Sequence, residues 1–318
     1  MEQLLQGLRA AGEETRMRLL VLCGHAELTV SELIQILGQS QPRVSRHLKL
    51  LCDAGLLDRF QEGSWVFYRL SNKSSTSLLA RYLVDLTPED DPVVARDLER
   101  LNVVKQARLD AAASYFKENA KHWNEIRSLH VDDAEVESTL LAAVEGHSIT
   151  DFLDIGTGTG RMLELFGPKT DFAVGIDTSR EMLAFARAAI EKADLRNCQV
   201  RLGDMYTLPF PNASQDLVVI HQVLHYADRP KVAIGEAKRV LKENGLLIIA
   251  DFAVHEIETL RTEHAHRQLG FDAEQIWAWC EEVGLERKDL HILKGDPLTV
   301  NIWIATPKTQ YPSSGARK

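Results

Sequence analysis

The sequence predicts two domains of different class, an N-terminal helical domain with a β-hairpin and a C-terminal α/β domain built on a mostly parallel sheet. Three observations support this prediction. The 318 residues exceed what one average core requires. Before residue 72, three helical segments precede two short strand-like runs. From residue 149 onward, strand-like and helical runs alternate, which is typical of a parallel sheet with crossover helices.

The composition is that of an ordinary globular protein, with 45% hydrophobic and 26% charged residues. No apolar run is long enough to span a bilayer, and the first residues lack the pattern of a signal peptide, so we expect a cytoplasmic protein. The four cysteines are scattered and form no C-x-x-C pair. This spacing predicts reduced, mostly buried thiols and no metal site.

The net charge of −9 is distributed unevenly along the chain. Residues 1–70 balance eight basic against eight acidic side chains, so the rest of the chain carries the whole deficit. Residues 40–73 hold six basic residues against three acidic ones. A local positive excess within an acidic protein is typical of a compact DNA-contacting face.

Helix end signals place the N-terminal elements. Residues 14–23 predict a first helix, which Gly24 would end. Thr29, with Glu32 three residues later, forms a capping box for a short second helix that ends at Gly38. A third helix follows it, with proline in its first turn.

Two strand-like runs, at residues 57–61 and 65–70, flank a Glu-Gly-Ser turn. A further helix is predicted from about Ser74 to Asp85. Helix, short helix, helix and hairpin in this order constitute the winged helix-turn-helix arrangement. We therefore predict a DNA-binding domain over residues 1–86.

The clearest linker follows that domain, at Thr87-Pro-Glu-Asp-Asp-Pro92. Helical patterns from 93 to about 123 and from about 133 to 144 predict a linker that also caps the C-terminal domain. The tail, rich in Ser, Gly, Pro, Lys and Arg, is expected to be disordered. The predicted segments after the first domain are 87–147, 148–306 and 307–318.

In the C-terminal domain, strands are predicted at residues 151–155, 172–176, 199–202, 217–220 and 246–251. Crossover helices are predicted near 161–166, 180–192, 230–240 and 273–283. The last two strands, at 291–293 and 300–305, meet across Lys294-Gly-Asp-Pro297 and should form an antiparallel hairpin at the sheet edge.

A glycine-rich loop, Asp154-Ile-Gly156-Thr-Gly158-Thr-Gly160, follows the first of these strands and precedes a helix. Glycines allow a sharp turn and let backbone N–H groups approach a ligand closely. The glycines of this loop stand at positions 1, 3 and 5, whereas a dinucleotide-binding fingerprint has glycine at positions 1, 3 and 6. A phosphate-binding loop would continue with Gly-Lys-Ser/Thr, and this sequence does not. A nicotinamide or flavin site, or a purely structural turn, is therefore disfavoured.

Two further acids end the next two strands. Asp177 lies 17 residues beyond Gly160, near the distance at which an acid binds ribose hydroxyls. Asp204 follows the third strand, where a carboxylate can bind a base amino group.

These motifs resemble those of class I S-adenosylmethionine-dependent methyltransferases, and the resemblance covers residues 148–305. It extends to Gly-Ile-Asp-Thr-Ser, Gly-Asp-Met and Arg239-Val-Leu-Lys-Glu-Asn-Gly245. It implies a seven-stranded Rossmann-like sheet and bound S-adenosylmethionine, or S-adenosylhomocysteine as product or effector. The implied cofactor residues are Asp154, Gly156, Gly158 and Gly160 for the methionine portion, Asp177 for the ribose, and Asp204 with Met205 for adenine.

Histidines supply the candidates for chemistry. His221 and His225 follow the fourth strand, in a segment that resembles the family loop facing the sulfonium. They are candidate bases or acceptor contacts, with pocket-shaping as the alternative, and His221 is also a candidate cofactor contact. His255, His264 and His266 lie where a substrate lid would be, although exposed helix positions are the alternative, and Asp251 ends the fifth strand.

Aromatic residues of the upstream helix provide one more candidate contact. Tyr115 and Trp123 lie where related enzymes fold a helix over the cofactor, with core packing as the alternative. Arsenite methylation is disfavoured, because only Cys198 and Cys280 lie in this domain and neither is in the expected loops.

Residues 5–72 resemble the ArsR-type winged-helix repressors, best in Gln41-Pro-Arg-Val-Ser-Arg-His-Leu-Lys-Leu-Leu-Cys-Asp-Ala-Gly-Leu. Such a helix enters the major groove, so operator DNA is the implied partner and a homodimer the implied assembly. A winged helix used only for protein contact is the alternative. The candidate DNA-binding residues are Arg43, Ser45, Arg46, His47 and Lys49 on the helix, and Arg59 and Arg69 on the hairpin.

One departure from that family bears on regulation. Metal-sensing members carry cysteines at the start of the helix before the turn, whereas this chain has Glu27-Leu-Thr-Val-Ser-Glu-Leu33 there. Metal sensing is therefore not expected. Three functions remain open at this stage: a DNA-binding regulator that methylates a small molecule, a non-catalytic sensor of S-adenosylmethionine or S-adenosylhomocysteine that controls DNA binding, and an enzyme whose winged helix only dimerises.

Overall fold

The computed structural model describes residues 1–62, 65–71, 74–108, 132–263 and 266–308. Contacts divide the chain into two units, each with its own apolar core. The first comprises Met1–Ala113 and Ile190–Arg196, and the second comprises Ser114–Ala189 and Asn197–Lys318. Within the described ranges, no helix combines the length and the apolar character needed to cross a membrane.

The first unit contains the winged-helix elements in the predicted order. They are α1 (Glu2–Ala11), α2 (Glu14–His25), β1 (Leu28–Thr29), α3 (Val30–Leu37), α4 (Gln41–Asp53), β2 (Leu57–Glu62), β3 (Trp65–Leu70), α5 (Ser77–Asp85) and α6 (92–108). The three strands form an antiparallel sheet in the order β1-β3-β2.

The predicted capping box at the start of α3 is confirmed. The Thr29 side chain accepts a hydrogen bond from the Glu32 backbone N, and the Glu32 carboxylate accepts one from the Thr29 backbone N at 2.7 Å. Gly38 ends the helix with φ +65, a left-handed conformation that glycine adopts without strain. Below it, Leu33, Val44 and Leu48 are fully buried in the core of the unit.

Two boundaries differ from the sequence prediction. Gly24 does not end α2, which continues to His25, because the absent side chain allows close packing: a Cβ there would lie 3.1 Å from Val84 Cγ1. Helix α6 was expected in a linker beyond residue 86, but its Leu101 and Val104 are buried in the core of the first unit. Asp97 of α6 also holds the Arg18 guanidinium at 2.5 and 2.9 Å.

The second unit contains α7 (Asp133–Ala143), β4 (Ile149–Ile155), α8 (Arg161–Phe166), β5 (Thr170–Asp177), α9 (Arg180–Lys192), β6 (Cys198–Leu202), β7 (Gln215–His221), α10 (Pro230–Val240), β8 (Leu241–Phe252), α11 (Thr259–Glu263), α12 (Ala273–Glu282), β9 (Leu285–Leu293) and β10 (Val300–Pro307). The final residues of α9 are grouped with the first unit. The predicted Rossmann-like sheet of seven strands is confirmed, with the order β6-β5-β4-β7-β8-β10-β9.

The sheet is mixed, with five neighbouring parallel strands and an antiparallel pair at one side. Strands β6, β5, β4, β7 and β8 pair in parallel, and β10 is antiparallel to both β8 and β9. The predicted terminal hairpin is therefore present, with β10 inserted between β8 and β9. Because the strand order reverses at β4, the carboxyl ends of β4 and its neighbours open a crevice of the kind that binds ligands in such sheets.

Candidate functional site

The glycine-rich loop turns sharply at the carboxyl end of β4. Gly156, Gly158 and Gly160 have φ values of +72, +52 and +86, all in the left-handed region that disfavours residues with a Cβ. At Gly156 a Cβ would lie 2.4 Å from Val223 Cγ2, so the loop packs directly on the segment after β7. At Gly158, in contrast, no described atom lies within 4 Å of an added Cβ. As far as the described residues extend, the middle of the loop therefore has open space beside it.

Asp177 ties the end of β5 to this loop. Its Oδ2 accepts a hydrogen bond from the Gly158 backbone N at 2.9 Å, and its Oδ1 accepts one from the Ser179 backbone N at 2.8 Å. Each carboxylate oxygen can accept a second hydrogen bond. The carboxylate is thus held in position with lone pairs left for a ligand hydroxyl.

The end of β6 presents the third acid at the same edge of the sheet. Asp204 is exposed, and its Oδ1 accepts a hydrogen bond from the Tyr206 backbone N at 2.9 Å, which fixes the turn that follows. Met205 is half-buried and packs against the apolar core of the second unit. The sequence-predicted residues Asp154, Asp177 and Asp204 therefore lie at or just beyond the carboxyl ends of three adjacent strands.

Asp154 is the buried acid of the set. Its side chain is in the interior, and neither carboxylate oxygen has a hydrogen-bond partner among the described residues. Burial raises the pKa of Asp154 to about 7, the nearby Thr157 hydroxyl opposes the rise, and the negative charge of Asp177 adds to it. A buried acid without partners fits a ligand that brings positive charge or hydrogen-bond donors.

His221 and His225 occupy different environments after β7. His221 ends the strand, is half-buried, and is aligned with Ala250 of β8. His225, in the short 3₁₀ turn Leu224–Tyr226, is only 2% exposed. Its Nδ1 lies 2.8 Å from Asp251 Oδ1.

Asp251 is fully buried and anchors this turn to β8. Its carboxylate also accepts hydrogen bonds from the His225 backbone N at 3.2 Å and from the Phe252 backbone N at 2.8 Å. The sequence placed Asp251 only at the end of a strand, and its partner lies 26 residues away, in the turn that follows the neighbouring strand β7. The pairing of an acid at the end of β8 with a histidine after β7 was not predicted.

Aromatic rings surround the His225 imidazole. His266 stacks on it with ring centroids 4.0 Å apart, Tyr226 lies at 4.2 Å and Phe252 at 5.1 Å. His255 approaches Phe252 edge-on at 6.1 Å. The structure therefore brings together His225, His255 and His266 of the predicted histidines, while His264, Tyr115 and Trp123 lie outside the described residues.

On the first unit, the candidate DNA-contacting residues of α4 separate into two groups. Arg43, Ser45, Arg46 and Lys49 are exposed, on the side opposite the buried apolar residues of the helix. His47 is half-buried instead, with its Nδ1 3.5 Å from Glu13 Oε2. It differs from the expectation of an exposed base-contacting side chain.

The two arginines of the hairpin also differ from each other. Arg59 of β2 is exposed, as a DNA contact requires. Arg69 of β3 is only 5% exposed, because its guanidinium lies 3.1 Å from Glu27 Oε1 and stacks over the Phe60 ring at 4.7 Å. The prediction that Arg69 contacts DNA is corrected accordingly: the residue holds the hairpin to the start of β1.

An apolar surface on α1 and α5 was not identified from the sequence. Leu78 and Tyr82 of α5 and Leu86 just after it are 67%, 64% and 77% exposed. Leu4, Leu5 and Leu8 of α1 are also exposed. The two helices are adjacent, since a Cβ at Gly7 would lie 2.8 Å from Leu79 Cδ2. Apolar residues four apart on both helices were the available signal.

Comparisons with known proteins match the two units separately. Residues 13–59 match the family model of the bacterial regulatory proteins of the arsR family, and residues 153–249 match that of the methyltransferase domain. An arsenical resistance operon repressor of Escherichia coli is 44% identical over 68 residues, 21% of this chain and 58% of that protein. An uncharacterized methyltransferase of Bacillus subtilis, YcgJ, is 30% identical over 99 residues, 31% of this chain and 39% of that protein.

A solved S-adenosylmethionine-dependent methyltransferase from Clostridium acetobutylicum has the same fold as the second unit. It superposes with a TM-score of 0.51 and 15% sequence identity, covering 61% of this chain and 99% of that one. The two curated relatives above are each spanned for less than two thirds of their length. The chain therefore carries, in one polypeptide, a segment that matches the arsR-family model and a segment that matches the methyltransferase-domain model.

Proposed function

We propose that the protein is a DNA-binding regulator that acts as a homodimer and whose C-terminal domain binds S-adenosylmethionine and methylates a small molecule. The proposal of a cofactor-binding methyltransferase rests on one observation, the convergence of Asp154, Asp177 and Asp204 with the glycine loop at one edge of the sheet. The unpaired, buried Asp154 carboxylate and the open space at Gly158 fit the cofactor.

The chain's own residues would divide the binding between them. The Gly156–Gly160 loop would approach the methionine portion of the cofactor, with Asp154 beneath it as the counter-charge for its ammonium group. Asp177 would accept hydrogen bonds from the ribose hydroxyls, and Asp204 with the Met205 backbone would hold the adenine. When bound, S-adenosylmethionine supplies a methyl group on a sulfonium, so orientation of the acceptor accounts for much of the catalysis.

The DNA-binding half rests on the exposed basic residues of α4. Arg43, Arg46 and Lys49 can reach phosphates and base edges when the helix lies in a major groove, with Arg59 of the hairpin beside it. The exposed apolar faces of α1 and α5 support a dimer, because an isologous contact would bury them against a second copy. Two copies would then present two α4 helices to a palindromic operator.

The proposal is tested by selecting duplex DNA from a random library with the purified full chain. Binding of the selected duplex is then titrated without ligand, with S-adenosylmethionine and with S-adenosylhomocysteine, while calorimetry measures the affinity for each cofactor form. Sequence-specific DNA binding and micromolar cofactor binding are expected. Failure to select any sequence would contradict the regulator half, and absence of cofactor binding would contradict the methyltransferase half.

Methyl transfer from labelled cofactor to a panel of small molecules distinguishes the enzyme from a sensor. DNA binding that responds to cofactor without any transfer would favour the non-catalytic alternative. DNA-independent transfer by a dimer that selects no sequence would favour the enzyme whose winged helix only dimerises.

A further inference from the structure

The pair formed by His225 and Asp251 has a defined hydrogen-bonding polarity. The Asp251 carboxylate accepts from the backbone N atoms of His225 and Phe252, so it is held as an acceptor. The His225 Nδ1 lies 2.8 Å from the same carboxylate and must therefore donate to it. This arrangement assigns the proton of the neutral ring to Nδ1 and leaves the lone pair on Nε2.

The His225 Nε2 atom is buried and has no hydrogen-bond partner among the described residues. A buried acceptor without a donor costs about 1–3 kcal/mol, and such atoms in native proteins usually have a functional reason. The turn that carries His225 follows Val223, which packs on Gly156 of the glycine loop. The unsatisfied lone pair therefore lies in the segment beside the proposed cofactor site.

His255 provides the complementary group. Its Nδ1 accepts a hydrogen bond from the Ile257 backbone N at 3.3 Å, so its own proton is on Nε2, which is buried and also lacks a partner. Burial lowers the pKa of His255 and the His225 ring lowers it further, while the negative charges of Asp251 and Glu258 oppose this decrease. His225 and His255 both contact the Phe252 ring.

We propose, on the basis of the methyl transfer proposed above, that the acceptor is a small planar phenol or enol. Its hydroxyl proton passes to His225 Nε2, while His255 Nε2–H donates a hydrogen bond to the same oxygen. A hydroxyl matches both unsatisfied nitrogens, since it is at once a donor and an acceptor. A sulfide has no proton to give to His225. An amine nitrogen has only one lone pair, so it cannot attack the methyl group and accept from His255 at the same time.

The rings around His225 determine the shape of the acceptor. Tyr226, Phe252 and His266 place flat aromatic faces within 4.0 to 5.1 Å of the imidazole centroid. Because these rings pack on the imidazole itself, an acceptor beside Nε2 would meet their edges, and edge-to-face contacts favour a planar ring over an aliphatic chain. Burial, with the negative charge of Asp251, raises the pKa of Tyr226 to about 12, so this ring remains a neutral phenol beside the pair.

The transfer balances in protons and electrons. The acceptor O–H bond breaks, its proton joins His225 Nε2, and Asp251 stabilises the imidazolium that results. The carbon–oxygen bond forms as the carbon–sulfur bond breaks, and the electron pair of that bond stays on sulfur. The proton leaves His225 for solvent after the methylated product departs.

A coloured phenol tests the proton transfer without turnover. 4-Nitrophenol is titrated into the full chain with S-adenosylhomocysteine present, at a pH where the free phenol is mostly neutral, and the visible absorbance of its anion is recorded. The absorbance is expected to rise on binding to the wild type, to be lost in His225→Gln and to fall at least ten-fold in Asp251→Asn. His291→Gln, a half-exposed histidine of the same unit, should behave as the wild type.

The outcomes separate this inference from the proposed function. Calorimetry with S-adenosylhomocysteine checks each variant for folding and for the cofactor site. Cofactor binding with no absorbance rise in the wild type would overturn the acceptor class, and a rise that persists in folded His225→Gln would overturn the base. Loss of cofactor binding in the wild type would instead contradict the proposed function.

A spectroscopic readout covers the case in which His225→Gln does not fold. Nitrogen-15 NMR of the histidine side chains, without added phenol, should show that the His225 ring is protonated on Nδ1. This Nδ1-protonated signal should be lost in Asp251→Asn. The same ring should shift towards the imidazolium when 4-nitrophenol binds. The titratable groups around His225 are Asp251, His255, His266 and Tyr226. A His225 ring protonated on Nε2 in the wild type would overturn the inference.

Discussion

Asp177 Oδ2 accepts a hydrogen bond from the Gly158 backbone N at 2.9 Å, so one carboxylate joins the end of β5 to the middle of the glycine loop. Replacing Asp177 by Ala removes both this bond and the proposed ribose contacts. The affinity for S-adenosylmethionine should fall at least ten-fold, because each hydrogen bond to a charged group contributes about 1.5–3 kcal/mol. Calorimetry measures the loss. Asp171→Asn, at an exposed position of the same strand, should bind as the wild type.

Substitution of single glycines should separate backbone strain from ligand contact. Gly158→Ala and Gly146→Ala both place a Cβ at positive φ, +52 and +78, with no described atom within 4 Å. Each should lower the free energy of unfolding by roughly 1 kcal/mol in urea titrations. Only Gly158→Ala should also weaken cofactor binding. Equal cofactor affinity in both variants would contradict the assignment of the loop.

Gly156→Ala should be the more damaging change in the loop. Its φ is +72 and the new Cβ would lie 2.4 Å from Val223 Cγ2, so strain and overpacking combine. We expect the free energy of unfolding to fall by about 2 kcal/mol or more. A double variant with Val223→Ala should recover part of this loss, and no recovery would show that the clash is not the cause.

The pH dependence of stability should depend on Asp154. Burial raises its pKa to about 7 from the ordinary 3.8, so ionisation is more costly in the folded state than in the unfolded one. Stability is therefore lost as the pH rises from about 4 to about 7, and each pKa unit corresponds to about 1.4 kcal/mol. Urea unfolding at pH 5 and pH 8 should show a smaller decrease for Asp154→Asn than for the wild type. An equal change in the free energy of unfolding between pH 5 and pH 8 in the wild type and in Asp154→Asn would contradict the raised pKa of a buried Asp154.

Salt dependence distinguishes the exposed basic residues from Arg69. Lys49→Ala should weaken binding of the selected duplex and reduce the salt slope by about 1, as expected for a phosphate contact. Arg96→Ala, at a half-exposed position on α6, is the matched control and should leave the slope unchanged.

Arg69→Ala should act through stability instead. Glu27, 11% exposed at its side chain, would lose the guanidinium that neutralises it. We expect the free energy of unfolding to fall by roughly 3 kcal/mol, with the salt slope unchanged in the folded fraction. A reduced slope without destabilisation would restore Arg69 as a DNA contact.

The apolar faces of α1 and α5 should control assembly. Sedimentation of the 35.7 kDa chain is expected to give a dimer, and Tyr82→Glu should give a monomer, because a buried unpaired charge opposes association. Val232→Glu, an exposed apolar residue on α10, should remain dimeric. A Tyr82→Glu dimer would place the interface elsewhere.

Elements defined by local signals were predictable from the sequence, whereas side-chain pairs between segments distant in sequence were not. The capping box of Thr29 and Glu32 and the strand before Gly156 depend on neighbours within a few residues. The His225–Asp251 pair depends on the register of β7 against β8, which places residues 26 positions apart in contact. No local pattern in the sequence specifies that register.

Burial explains the charged residues that were misassigned. Arg69 has the residue type and the place of a DNA contact, but Glu27 precedes β1, which pairs with β3 and brings the acid against the guanidinium. His47 lies on the correct helix but one position from the buried Leu48, so it turns towards Glu13. In both cases a side chain distant in sequence decided between solvent and interior.

The strand order has a consequence for how the domain can evolve. The groups proposed for the cofactor lie at the carboxyl ends of β4, β5 and β6, whereas His225 follows β7 and Asp251 lies near the end of β8, on the other side of β4. Apart from the contact between Val223 and Gly156, each set can therefore mutate while the other stays fixed. A change of acceptor then requires substitutions only in the half of the crevice beyond β4. The same cofactor-binding residues can therefore serve related domains that methylate different acceptors.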